Sequence, residues 1–149
     1  MKVFIAADHG GFELKEALVG FLSMSGAPVV DLGPKSYDTS DDYPDFAIAV
    51  AKEVVKNSEN RGILICRNGV GMSMVVNKFN GIRATLSFNP EHAASSRIHD
   101  DSNVLALPAD YMEKEMAIKT ISSWLGTDFE AKERRIRRLE KVKGLGQKL

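Results

Sequence analysis

The chain has 149 residues, 44% of them hydrophobic and 7% aromatic. A chain of this length and composition can bury a hydrophobic core as one domain without disulfides or a structural metal. Twenty Lys and Arg balance twenty Asp and Glu, an ordinary charge content for a soluble globular protein. The single cysteine excludes an intramolecular disulfide and fits a reducing cytoplasm. The N-terminal apolar segment passes directly into polar Asp8 and His9, so we expect no signal peptide. We expect no membrane segment either, since no apolar stretch approaches roughly 20 residues.

Apolar segments alternate with amphipathic segments along the whole chain. The predicted strands are Val3–Ala7, Pro28–Leu32, Gly62–Cys66, Arg83–Leu86 and Val104–Leu107. The predicted helices carry apolar faces at helical spacing: one before Gly26, one from Pro44, one from Pro90 towards His99, and one around Met116–Leu125. This alternation predicts an α/β fold, with a doubly wound, five-stranded parallel sheet covered by helices on both faces (Rossmann-like). We expect residues 1–149 to form one domain.

Positive charge is concentrated at the C-terminus, where we predict a basic helix at about residues 130–143. From Glu130 onwards eight Lys and Arg stand against three Glu, so this tail is +5 and the remainder is −5. A solvated terminal helix and a helix end that faces phosphate both fit this pattern. A nucleic-acid arm fits less well, because few aromatic residues accompany the charges and Glu133 and Glu140 interrupt them.

The third predicted strand ends at Cys66, the only cysteine, and a glycine-rich turn follows. Gly69 and Gly71 let the backbone turn tightly and begin a helix at about Met72. Such a turn directs backbone N–H groups and the positive end of a helix dipole at one point, which suits a phosphate or a developing oxyanion. A thiol at this point is a candidate for catalysis. The alternative for Cys66 is a small buried hydrophobic residue.

Polar clusters follow three of the predicted strands. Asp8–Gly11 follows the first strand, Asp41–Pro44 lies in the loop after the second, and Cys66–Gly71 follows the third. Ligands of open parallel sheets bind beyond the carboxyl ends of the strands. The three clusters therefore predict one shared site.

The order and spacing of these motifs resemble a known family nearly from end to end. The matching segments are Asp8–Gly11, Asp42–Asp45, Gly62–Cys66, Gly69–Ser73, Asn77–Lys78, Gly81–Ala84, His99 with Asp101, Asn103–Leu105 and Trp124–Gly126. The chain resembles the ribose-5-phosphate isomerase B family, whose relatives include the galactose-6-phosphate isomerase subunits. The resemblance implies a homodimer or a tetramer of dimers with shared active sites. It also implies no metal, no cofactor, and isomerisation of a phosphorylated sugar through an enediolate.

The resemblance also implies roles for individual residues. Cys66 is the base, His99 opens the sugar ring from the partner subunit, and Asp8 and His9 hold the substrate. In the family the glycine turn supplies N–H groups to the enediolate oxygen, and we expect Arg67, Asn68, Gly69, Val70 and Gly71 to do so here. Arg137 matches a phosphate-binding arginine of the family, and we expect Arg134 or Arg67 to hold phosphate with it. We also expect Asp100 to contact the substrate.

Several of these residues also have simpler explanations. His9 could cap a turn or face solvent, and His99 could stabilise a helix C-terminus through the dipole. Tyr43 could contact the sugar or pack under the loop. His92 matches nothing in the family, and we expect it on the surface.

The departures from the family cluster at the predicted site. Arg67-Asn68 replaces Gly-Thr, Asp100 replaces an asparagine, and an expected arginine is lost within Pro108–Asp110. In the tail, Ala131–Arg134 replaces Gly-Gly-Arg-His. We therefore expect phosphate recognition that is weaker or differently placed than in typical members.

The leading hypothesis is an isomerase that interconverts ribose 5-phosphate and ribulose 5-phosphate. Isomerisation of a different sugar or sugar phosphate by the same fold is the first alternative. The second is a sugar-phosphate binding protein without catalysis, which would need neither Cys66 nor His99.

Overall fold

The computed structural model describes residues 1–143 and residue 145. Strands and helices alternate within these residues, and every strand predicted from the sequence is present. In chain order the elements are β1 (Val3–Ala7), α1 (Phe12–Met24), β2 (Val29–Asp31), α2 (Tyr43–Val54), β3 (Arg61–Cys66), α3 (Val70–Val76), β4 (Ala84–Leu86), α4 (Pro90–Asp100), β5 (Val104–Pro108), α5 (Lys114–Leu125) and α6 (Glu133–Lys143).

The five strands form one parallel sheet in the order β2-β1-β3-β5-β4. Val3 of β1 pairs with Val29 of β2 on one side and with Arg61 of β3 on the other. The chain therefore leaves β1 towards one edge and returns to its other side, which makes β1 and β3 the switch point of the sheet. A crevice at the carboxyl ends of two such strands is the usual ligand site of this architecture.

The sheet is covered on both faces, and each face has its own apolar core. On one face Ile63 and Ile65 of β3 pack with residues of α1, α4 and α5, among them the fully buried Trp124. On the other face Leu64 and Cys66 pack with α2 and α3. Successive side chains of β3 thus enter opposite cores, as expected for a strand buried on both sides. The predicted doubly wound fold is confirmed.

The helix ends follow local chemistry. Asn89 caps α4, since its side-chain oxygen accepts a hydrogen bond from the His92 N–H at 2.8 Å, and Pro90 occupies the first turn. At the other end Asp101 adopts a left-handed conformation with φ of 47°. Helix α3 begins at Val70, two residues before the predicted start, because Gly69 already turns the chain with φ of 72°. No helix among the described residues has the length and apolar character to cross a membrane.

Candidate active site

Cys66 is the last residue of β3, and only 5% of its surface is exposed. The backbone N–H of Gly69 donates to its Sγ at 3.2 Å. The side-chain oxygen of Asn68 lies 3.9 Å from the same sulfur and accepts from the Val70 N–H at 3.0 Å. The turn therefore holds the sulfur in place at the carboxyl end of β3.

Gly69 is required by this turn for two reasons. Its φ of 72° lies in the left-handed region. A Cβ at this position would also lie 2.4 Å from Cδ1 of Leu86 and 3.2 Å from the backbone carbon of Leu107. A side chain here would therefore strain the backbone and would require both the Leu86 side chain and the neighbouring backbone of β5 to shift.

Asp8 joins the ends of β1 and β3. Its backbone N–H donates to the Ile65 carbonyl at 3.2 Å, and its side-chain oxygen accepts from the Gly11 N–H at 3.2 Å. The residue is 7% exposed. Burial raises the pKa of the Asp8 carboxyl above its usual value, and the hydrogen bond from Gly11 offsets part of this rise.

His9 is held by Asp41, a residue of the polar cluster after β2 that the sequence placed at the shared site without predicting this contact. Asp41 Oδ1 lies 2.7 Å from His9 Nδ1 and accepts from the His9 backbone N–H at 3.0 Å. The Tyr37 ring stands nearly perpendicular to the imidazole, with ring centres 6.4 Å apart. His9 therefore lies in a built environment, which does not fit the simple alternative of a solvent-facing loop histidine.

Arg67 links the turn after Cys66 (residues 67–71, the thiol turn) to the loop that carries His9. A Cβ on Gly10 would lie 2.4 Å from Cγ of Arg67, so the arginine side chain runs directly over this glycine. Its guanidinium lies 3.6 Å from the carboxylate of Asp110, and both side chains are about half exposed. The Asp110 backbone N–H also donates to the Arg67 carbonyl at 2.8 Å. Arg67 thus presents a cation at the rim of the crevice, restrained by an aspartate from the segment after β5.

Tyr43 begins α2 and lies against the thiol turn. A Cβ on Gly71 would be 2.8 Å from the Tyr43 ring, so the ring covers this glycine. The tyrosine is 38% exposed, which leaves part of its surface open beside the turn. The structure therefore places Tyr43 at the site, where packing and substrate contact are compatible.

The remaining predicted residues lie elsewhere in the protomer. His99 and Asp100 are exposed at the C-terminal end of α4, and Arg134 and Arg137 are exposed on α6. Helix α4 runs from the carboxyl end of β4 to the amino end of β5. Because β5 rises about 13 Å between Val104 and Pro108, which pairs with Cys66, His99 and Cys66 lie towards opposite ends of the sheet.

Arg135, one of the eight Lys and Arg of the predicted basic helix, anchors the start of α6. Its side chain is 5% exposed and donates to a carboxylate oxygen of Glu130 at 2.6 Å. Lys132, followed by Arg135, lowers the pKa of Glu130 to about 2. The Glu130 backbone N–H donates to the Ile98 carbonyl at 3.3 Å, so the segment is fixed beside the end of α4. Arg134 and Arg137 are thereby held in the same region as His99.

The comparison with known proteins agrees with this architecture. The family model described as Ribose/Galactose Isomerase matches residues 3–142. The chain belongs to this family. It is 43% identical to the probable ribose-5-phosphate isomerase B of Mycoplasma genitalium over 141 residues, which are 94% of this chain and 92% of the relative. It is 39% identical to ribose-5-phosphate isomerase B of Escherichia coli over 147 residues, 99% of this chain and 97% of the relative.

Solved structures of family members superimpose on the whole sheet. The Mycoplasma genitalium ribose-5-phosphate isomerase B with bound ribulose-5-phosphate has a TM-score of 0.92 at 43% identity, covering 95% of this chain and 93% of that chain. The enzyme from Thermotoga maritima has a TM-score of 0.91 at 39% identity, with 95% and 97% covered. The predicted family is confirmed.

Within this member of the family, the predicted site residues fall into two groups. The first, the Cys66 group, lies at the carboxyl ends of β1 and β3 and contains Asp8, His9, Tyr43, Cys66, Arg67, Asn68, Gly69, Val70 and Gly71. The second, the His99 group, lies at the end of α4 and on α6 and contains His99, Asp100, Arg134 and Arg137. Asp41 and Asp110 join the Cys66 group through the contacts described above. Among residues 1–143 and 145 no three His, Cys, Asp or Glu side chains cluster as metal ligands would.

Proposed function

We propose that this chain is an aldose–ketose isomerase that interconverts ribose 5-phosphate and ribulose 5-phosphate. The observation that carries the proposal is the Cys66 sulfur, which accepts the Gly69 N–H at the switch point of the sheet. The likeness to an enzyme that binds ribulose-5-phosphate supports the choice of substrate. We propose residues 1–149 as a single sugar-phosphate isomerase domain that needs no cofactor.

In this mechanism Cys66 acts as the base. The thiolate removes the proton from C2 of the open-chain aldose, and the electron pair moves onto the carbonyl oxygen to give an enediolate. A proton then moves from the C2 hydroxyl to the C1 oxygen, and the proton on sulfur returns to C1, which yields the ketose and regenerates the thiolate. Asn68 uses its oxygen for the Val70 N–H, so its amide nitrogen remains to donate to an enediolate oxygen. A donor directed at such an oxygen is worth about 2.7–4 kcal/mol in related sites.

The positions of the two groups support active sites shared between subunits. A cyclic sugar must be opened by an acid and a base before Cys66 can remove its proton. Within one protomer His99 lies towards the opposite end of the sheet from Cys66, too far away for this role. In a homodimer the His99 group of one protomer would meet the Cys66 group of its partner. We propose that arrangement, as a dimer or as a tetramer built from such dimers, with Asp100 contacting the substrate from the same helix end.

Phosphate would be bound by cations from both groups. Arg67 lies at the rim of the Cys66 group, where Asp110 restrains it. Arg134 and Arg137 are exposed beside His99. Asp8 and His9 would contact the sugar phosphate from the β1 loop. We place the enzyme in the cytoplasm, since a mechanism that uses the single thiol as its base needs that thiol reduced.

Purified wild type and Cys66→Ala, assayed for isomerisation, test this proposal. Loss of the base should lower kcat for ribose 5-phosphate about 10²–10⁴-fold. The substitution removes one sulfur atom, so the circular dichroism spectrum and substrate binding should persist. A panel of other aldose and ketose phosphates and of free sugars completes the assay. Turnover of another panel member but not of ribose 5-phosphate would reassign the substrate. Binding without turnover by wild type would favour a non-catalytic protein.

A further inference from the structure

Asp41 lies between β2 and α2, and its carboxylate contacts His9 twice. Oδ1 accepts from the His9 backbone N–H at 3.0 Å and lies 2.7 Å from Nδ1 of the ring. The backbone N–H can only donate, so Oδ1 is an acceptor. With Asp41 ionised, the second contact is a hydrogen bond only if Nδ1 carries a proton.

The cost of this arrangement indicates that Asp41 does more than stabilise the fold. Its side chain is 10% exposed, and its second oxygen, Oδ2, is buried without a hydrogen-bond partner among the described residues. A buried carboxylate oxygen without a partner is unfavourable. The Tyr37 ring, in a T-shaped arrangement with the imidazole, restricts it further. Two side chains from the β2–α2 segment are therefore directed at one imidazole from the β1 loop.

We propose that Asp41 is a positioning residue that fixes the proton of His9 on Nδ1 and leaves Nε2 as the atom that contacts the sugar phosphate. This inference rests on the proposed function. A carboxylate bound to one ring nitrogen determines which tautomer a neutral histidine adopts. Nε2 then accepts a hydrogen bond when the ring is neutral and donates one when the ring is protonated, while the ring orientation stays the same.

The tautomer of His9 can be measured directly by long-range ¹H–¹⁵N correlation spectra at alkaline pH. The chain has three histidines, so His92→Gln and His99→Gln leave the His9 signals assigned. Wild type should show protonated Nδ1 and unprotonated Nε2. Asp41→Asn can donate its amide to Nδ1 and should move the proton to Nε2. A wild-type ring protonated on Nε2 would overturn the proposal, and this result does not depend on whether the variant folds.

Kinetics supply the second readout. Asp41→Asn should raise KM for ribose 5-phosphate about tenfold and change kcat little, because ring orientation affects binding rather than the proton transfer at Cys66. In a His9→Gln background the same substitution should have almost no further effect. Asp38→Asn is the matched control: Asp38 is an aspartate of the same segment that bonds to Ser40, and its loss should leave KM unchanged.

The outcomes separate the two proposals. Additive losses in Asp41→Asn and His9→Gln would show that Asp41 does not act through His9 and would overturn the inference. If wild type fails to isomerise ribose 5-phosphate, the proposed function fails, while the tautomer of His9 still decides whether Asp41 positions the ring.

Discussion

Arg67 and Asp110 show how a change of two residues can move a binding charge. Both side chains are about half exposed and their charged atoms are 3.6 Å apart, so the pair contributes at most about 1 kcal/mol to stability. Its importance is therefore in placing a cation beside the loop of His9. The resemblance implies a glycine where this chain has Arg67, and an arginine within the segment where this chain has Pro108–Asp110. The cation would then come from the thiol turn, restrained by the aspartate.

Arg67→Gly should raise KM for ribose 5-phosphate about tenfold or more, the usual worth of a charge-assisted hydrogen bond. Activity towards a free sugar, if present, should be unchanged, and the free energy of unfolding should fall by no more than about 1–2 kcal/mol, from the lost ion pair and the added glycine. Arg67→Lys should give an intermediate KM, because lysine keeps the charge but loses the planar fork. Equal kcat/KM for ribose 5-phosphate in wild type and Arg67→Gly would contradict a phosphate contact by Arg67.

At Asp8 we expect the requirements of folding stability and of activity to conflict. Burial raises its pKa, so the folded protein binds the Asp8 proton more tightly than the unfolded chain, whose value is near 3.8. Its ionisation therefore costs stability as the pH rises from 3.8 through the folded value. Asp8→Asn keeps an oxygen for the Gly11 N–H and should be more stable than wild type at neutral pH, and not below pH 3.8. Its kcat/KM should fall about tenfold or more. A difference in unfolding free energy that does not vary with pH would contradict this explanation.

At the scale of the element, the thiol turn depends on Gly69, and Gly26 offers a matched comparison. Both have nearly the same positive φ, 72° and 74°. A Cβ on Gly26 meets nothing within 4 Å, whereas a Cβ on Gly69 collides with Leu86. Gly26→Ala should cost about 1–2 kcal/mol from backbone conformation alone and retain activity. Gly69→Ala should cost clearly more and abolish activity. Urea unfolding and the isomerase assay measure both, and equal losses would contradict the steric argument.

The elements were predictable from the sequence where the signal is local. The apolar runs predicted the strands, Pro90 predicted the start of α4, and the order of the polar clusters predicted where the Cys66 group lies. Contacts between distant residues gave no such signal. His9 and Asp41 are 32 residues apart, and the Asp110 that restrains Arg67 could be noticed only as a departure from the family. The buried Arg135 was missed because charged residues in a basic helix are usually solvated.

At the scale of the whole molecule, the parallel sheet separates the two groups of site residues. Ligand-binding loops gather at the carboxyl ends of the strands, while helices that follow them end near the amino ends. His99, at the end of α4, is therefore placed away from Cys66 by the topology itself. A protomer that carries both residues but cannot bring them together is understandable if a second copy completes each site.

Mixing two inactive variants tests this shared site. Cys66→Ala and His99→Asn subunits should each form homodimers that are inactive towards ribose 5-phosphate. A heterodimer of the two contains one site with both substitutions and one with neither. Random exchange at equal amounts makes half of the dimers heterodimers, so about a quarter of wild-type activity should return. Cys66→Ala mixed with the double variant Cys66→Ala/His99→Asn is the matched control, which restores nothing. Native mass spectrometry confirms the exchange, and a mixture that contains heterodimers but stays inactive would show that His99 does not serve the partner's Cys66.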